Sequence, residues 1–120
     1  MPSKKAPYLE RDIQSGILHY LWSIGYPAFH VPNHGKFDSA TNRYNRVDRD
    51  HVAGVPDIVC PCKGGRTVYF EVKSATGTTS KAQLDYGMRL IRDGHNYMVV
   101  RSVAEVRQHL SAWGLSRERP

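Results

Sequence analysis

Two cysteines are the whole thiol complement of this 120-residue chain, and no stretch of it stays apolar over the length needed to cross a bilayer. Cys60 and Cys62 are one residue apart, so on a strand they share a face, and a bridge between them would be strained. With no second pair and no spaced histidine pair they also make a poor zinc site, and reduced structural thiols are expected. No secretory leader, lipidation motif, internal repeat or low-complexity segment is recognisable. These absences predict a single domain over residues 1–120 in a reducing cytoplasm, with no membrane and no nucleotide cofactor.

Acidic residues are in the minority. Seventeen Lys and Arg stand against eleven Asp and Glu, a net charge of +6 with a pI near 9.6. Such a balance favours a polyanionic partner, nucleic acid first, although a merely basic soluble protein has the same composition.

The most informative residues lie mid-chain. Val55 to Cys60 reads as one strand and Arg66 to Lys73 as the next, with Lys63-Gly64-Gly65 as a tight turn between them. A turn centred on Gly64 puts Asp57 directly opposite Glu71, with Lys73 two residues further along the same face. Cβ atoms so placed are roughly 5 Å apart, and like charges there destabilise a sheet. A positive group is expected between them. A divalent cation such as Mg²⁺, held through one or two carboxylates and a phosphate oxygen, meets that need, and Lys73 adds a fixed charge beside it.

Pro56-Asp57, followed after the hairpin by Glu71-Val72-Lys73, resembles the metal-site motif of the PD-(D/E)xK nuclease superfamily. The match narrows with Glu10, Ile13 and Gln14 in an opening helix, Pro32-Asn33-His34-Gly35, Gly54-Val55-Pro56-Asp57, Glu71-Val72-Lys73-Ser74, and Gln83 after Ser80. Together these resemble the stand-alone VRR-NUC domain of phage and bacterial proteins, which also forms the catalytic end of the Fanconi-associated nuclease. The resemblance runs from about Leu9 to Leu110. It implies a restriction-endonuclease-like αβββαβ core. It further implies Mg²⁺ or Mn²⁺ on Asp57 and Glu71, with the Val72 backbone carbonyl as a further ligand, and cleavage of branched DNA such as Holliday junctions to 5′-phosphate products. The compartment would be a bacterial cytoplasm, or the host's if the chain is phage-encoded.

Along the chain, residues 1–7 read as a flexible basic arm carrying Lys4 and Lys5, with Pro7 placed to open a helix from Tyr8 to Ile24. At 100° per residue Glu10 falls within the apolar arc of Leu9, Ile13, Ile17, Tyr20, Leu21 and Ile24. It is either a site carboxylate that binds the ion directly or through water, or a first-turn complement to the helix dipole. Ala28 to Val31 is a short strand, and residues 32–53 form a long polar connection. Its Lys36, Arg43, Arg46 and Arg49 are expected on phosphates, with Asn33, Ser80 and Lys81 completing the DNA-binding set; a solvated, charge-balanced loop is the alternative. Ser80-Lys81-Ala82-Gln83 has the form of a capping box opening a helix to Asp93, so Gln83 has a structural role beside the catalytic one the resemblance implies. Tyr97 to Arg101 is apolar enough for a central strand. Ser102 to Glu105 forms a second capping box before the last helix, and residues 116–120 read as a frayed tail.

The element order αβββαβα predicts an α/β fold: a four-stranded mixed sheet with helices on both faces, the last strand returning through a crossover helix. Function follows as a metal-dependent, structure-selective endonuclease with Glu10, Asp57, Glu71, Lys73 and Gln83 in its site. A nicking, flap or restriction-like nuclease and a catalytically silent DNA-binding module on the same fold are the alternatives. Lys73 either orients the nucleophile or pairs with Glu71. Two incisions in one junction require two sites, which predicts a homodimer with Leu18 and Trp22 on the helix's opposite face as its anchor; a monomer whose Trp22 is covered by the long connection or the basic arm is the alternative.

Overall fold

The hairpin predicted around Gly64 forms the middle of the sheet. The computed structural model describes residues 9–32, 36–38, 43–45 and 52–118. Its elements are α1 (Glu10–Ser23), β1 (Phe29–His30), β2 (Lys36–Asp38), β3 (Arg43–Asn45), β4 (Ile58–Pro61), β5 (Thr67–Val72), α2 (Lys81–Arg92), β6 (Asn96–Val100) and α3 (Val103–Ala112). One sheet has the strand order β1-β4-β5-β6, antiparallel except for the parallel β5–β6 pair. Gly64 and Gly65 both take positive φ, 73° and 70°, in the turn that joins β4 to β5, where a glycine pays no Cβ penalty.

Alternation along the strands explains the layers. Ile58, Cys60, Val68, Phe70, Val72 and Val100 are all fully buried and join Ile17 and Leu21 of α1 and Val106 and Leu110 of α3 in one apolar core. The opposite face carries Tyr69, Glu71, Tyr97 and Val99, and there α2 crosses with Gly87 against the Tyr97 ring. Helices therefore cover both faces. Because both faces are covered, β6 is as apolar as a central strand, yet it is an edge of this sheet, contrary to the central position its sequence suggests.

Several expectations are corrected. The connection between β1 and β4 is not wholly loop, since β2 and β3 pair as a separate two-stranded sheet with Phe37 opposite Tyr44. The order therefore gains a hairpin over αβββαβα. Residues 115–118 are anchored rather than frayed. Leu115 is buried, Arg117 lies 4.3 Å over the Tyr26 ring, and Glu118 accepts hydrogen bonds from Tyr20 at 2.6 Å and Arg107 at 2.7 Å. Leu18 is buried in the core, so the anchor proposed from Leu18 and Trp22 fails. Trp22 is half-exposed, and its indole N–H donates to the Ala28 carbonyl at 2.7 Å.

Local signals set the helix starts. Ser80 caps α2 with both capping-box bonds, Ser80 Oγ accepting from Gln83 N–H at 3.2 Å and Gln83 Oε1 from Ser80 N–H at 2.8 Å. The second box is only half made. Ser102 Oγ accepts from Glu105 N–H, but the Glu105 carboxylate reaches back to the Arg101 N–H at 3.1 Å. Helix α1 has no side-chain cap at Leu9. Cys60 and Cys62 are free, their sulfurs 3.7 Å apart. None of the described helices is long and apolar enough to cross a membrane.

Candidate active site

The β4–β5 register pairs Ile58 with Phe70, so Asp57, one residue ahead of β4, falls opposite Glu71 near the end of β5. Two backbone bonds fix it there. Its carbonyl accepts from the Val31 N–H at 2.8 Å, and its Oδ2 accepts from the Val72 N–H at 2.8 Å. The loop ahead of it is pressed onto α2. Gly54 has φ +82°, and any Cβ there would collide with the Ala82 carbonyl, so only glycine permits the approach.

Glu71 is 1% exposed. Its Oε2 accepts from the Gln83 side-chain N–H at 2.8 Å and lies 3.5 Å from the Lys73 ammonium, itself nearly buried. Its Oε1 is buried and has no partner among the described residues. Burial, followed by the charge of Asp57 within hydrogen-bonding reach, pushes the Glu71 carboxyl up to about 8, against the smaller opposing effect of Lys73. Two facing carboxylates have acceptors but no donor between them, so either a proton or a cation must lie there. Lys73 alone leaves Oε1 without a partner. The donors fit a hard cation that takes one or two carboxylates and completes its shell with water and phosphate.

The raised Glu71 value has a measurable consequence for the metal-free protein. A carboxyl whose folded value exceeds its ordinary 4.5 gives stability that is fully present below 4.5 and is lost as pH rises to about 8. Over that window the loss should amount to roughly a few kcal/mol. In chelator the melting temperature of the parent should therefore fall from pH 5 to pH 8 relative to that of Glu71→Gln. Parallel profiles for the two proteins would show that Glu71 does not carry the proton.

Gln83 makes two contacts at once: its Oε1 completes the cap while its amide nitrogen donates to Glu71. After Lys73, Arg101 clamps the turn leading to Ser80 by donating to the Gly77 carbonyl at 2.7 Å and to that of Ser74. Tyr97 belongs to the same site and was not singled out from the sequence. Burial, then the charges of Glu71 and Asp57, push its phenol up to about 12. The signal that finds it is the parallel register. Glu71 pairs with Val99, which puts Tyr97 on the Glu71 face.

The fold recurs in solved structures. One, described as a VRR_NUC domain, superposes with a TM-score of 0.63 at 19% identity, covering 87% of this chain and 96% of its own. A second, a VRR_NUC domain protein, gives 0.61 at 15% identity over 88% and 91%. The chain has the VRR_NUC fold. No protein-family model matches it, and no curated protein does.

On the VRR_NUC fold Asp57, Glu71, Lys73 and Gln83 come together, whereas Glu10 does not join them. It is solvent-exposed, and no hydrogen bond or ion pair links it to the pair. The first turn of α1 runs on beyond Ile17, the first buried residue of the helix, and Glu10 lies there on the surface. Ser80 and Lys81 are exposed at the start of α2. Lys36 and Arg43 lie on the β2–β3 hairpin, while Asn33, Arg46, Arg49 and residues 1–7 fall outside the described residues.

Proposed function

We propose that the domain is a metal-dependent, structure-selective DNA endonuclease acting on branched DNA such as Holliday junctions. The observation that carries this reading is the partnerless Oε1 of buried Glu71 beside Asp57. Asp57 and Glu71 would hold Mg²⁺ or Mn²⁺, with the Val72 carbonyl as a further ligand. When bound, the ion supplies polarisation of a phosphate oxygen and a more acidic water. Gln83 donates to Oε2, so Oε1 would be the oxygen that holds the cation, which would take the place of a proton on the raised Glu71 carboxyl. Lys73, on the same strand face, orients the nucleophile and offsets charge developing on phosphorus. Cleavage of junction, flap, splayed and linear DNA, compared in Mg²⁺ and in chelator, tests the assignment. Cutting that persists in chelator would sink it.

A second reading is favoured by the exposure of Glu10. Among the described residues, no group of three or more His, Cys, Asp or Glu could hold a metal. A silent DNA-binding module would bind the same panel and cut none of it in Mg²⁺ or Mn²⁺.

Affinity should reside in Lys36, Arg43, Arg46 and Arg49, with Asn33, Ser80 and Lys81. Changing Arg43, Arg46 and Arg49 together to Gln should weaken junction binding and flatten the slope of log K against log salt by about 0.9 for each phosphate no longer neutralised. An unchanged slope would move the search to Lys4, Lys5, Lys81 and Arg89.

A further inference from the structure

The end of the sheet that carries Glu71 and Lys73 also has a cavity, on the side of α1 and α3. Strands β5 and β6 are parallel and run out together there, the Lys73 N–H donating to the Val100 carbonyl at 3.0 Å. Just beyond, the turn after Lys73 and the junction of β6 with α3 meet the first half of α1. Between them lies a pocket of about 410 Å³, lined by Asp12, Ile13, Gly16, Ala75, Arg101 and Val103. That is the size of a small-ligand site, and its walls are mostly apolar. Two of the lining groups are charged. Asp12 can only accept hydrogen bonds and Arg101 can only donate them. Arg101 commits Nη1 to the carbonyls of Ser74 and Gly77, so Nε and Nη2 are the donors left for a ligand. Gly16 keeps the space open: a Cβ there would already touch Val103 Cγ2 at 3.6 Å, so a longer side chain would occupy the cavity.

We propose that this pocket receives an unstacked guanine base of the DNA and so distinguishes a branch from continuous duplex. The proposal rests on the nuclease reading, which brings a DNA strand to the neighbouring carboxylates. An apolar cavity with a few hydrogen-bonding groups is what a base needs once it has left the stack. The two charged groups select among the bases. Guanine offers N1–H and N2–H to both oxygens of one carboxylate, and O6 and N7 to two guanidinium donors. Adenine and cytosine offer a carboxylate only their one amino group. Bases that are paired and stacked in duplex cannot enter, so only DNA with unpaired nucleotides at a branch gains the contact.

Fluorescence anisotropy in chelator, where no strand is cut, tests the pocket. The probes are forked DNAs whose unpaired nucleotides next to the branch are guanine, inosine or abasic, and a duplex of the same sequence. Inosine lacks only the N2 amino group. The parent should bind the guanine fork about tenfold more tightly than the inosine fork, and the abasic fork no better than duplex. Asp12→Asn should bind the guanine and inosine forks alike. Gly16→Leu should bind the guanine fork only as well as duplex, whereas Gly16→Ala should keep the parent's preference. Unchanged duplex affinity reports that each variant is folded, and should Gly16→Leu fail that check, Asp12→Asn decides alone. A parent that prefers forks to duplex but treats guanine, inosine and abasic forks alike overturns the pocket and leaves the nuclease reading standing. A folded Gly16→Leu that keeps the guanine preference does the same. A parent with no affinity for fork or duplex removes the nuclease reading and the pocket with it.

Discussion

Replacing Glu71 by Gln is expected to abolish cleavage, on the order of 10³-fold or more, while making the metal-free domain more stable at pH 8. The two effects have one origin. Glu71 is a nearly buried carboxylate with one unpartnered oxygen, facing Asp57. The neutral amide removes the repulsion, keeps the volume and can still accept from Gln83. Asp57→Ala should be equally inactive, but it should not be stabilising. Its Oδ2 accepts the Val72 N–H, and losing that bond costs about 1–2 kcal/mol, which offsets the relief of charge. Lys73→Ala should reduce turnover more than DNA affinity. Cleavage by the Asp57 variant at a substantial fraction of the parent rate would remove the two-carboxylate site from consideration, and a Glu71→Gln protein less stable than the parent at pH 8 would show that the pair is not repulsive.

The second large effect is expected at Gly54. Alanine there meets two costs: a left-handed backbone, about 1–2 kcal/mol, and a collision with the Ala82 carbonyl that only backbone movement relieves. That movement separates the loop carrying Asp57 from the helix start carrying Gln83. Gly54→Ala should therefore lose about 3 kcal/mol or more and lose activity even at temperatures where it is folded. Gly64→Ala is the control. Its φ is also positive, at +73°, but a Cβ there meets nothing within 4 Å, so only the backbone cost applies. Equal melting temperatures for the two variants would mean that the packing of Gly54 on α2 does not hold the site together.

What could be read from the sequence was whatever is settled within a few residues. The Gly64-centred turn sets the register that brings Asp57 opposite Glu71. The Ser80–Gln83 box starts α2 where its pattern says, because caps and turns are local chemistry. Glu10 shows the limit. Periodicity gives the direction of a side chain around a helix, but not whether anything lies opposite it, which depends on where the sheet ends. The anchoring of Glu118 to Tyr20 spans 98 residues and leaves no local trace. Tyr97 required the parallel register of β6 on β5, which no run of residues states. The β2–β3 hairpin has three residues per strand, too few for alternation to show.

The double engagement of Gln83 narrows what this position can tolerate. Glutamate would complete the cap as well as glutamine does, but it would put a third carboxylate against Glu71 and Asp57. Asparagine is one methylene shorter and cannot keep both bonds, and alanine loses both. Either duty alone would admit several residues, whereas the two together leave one. Helix start and strand end are joined through that amide, so a folding intermediate in which α2 forms without the β4–β5 hairpin would lack half of what orients its first turn.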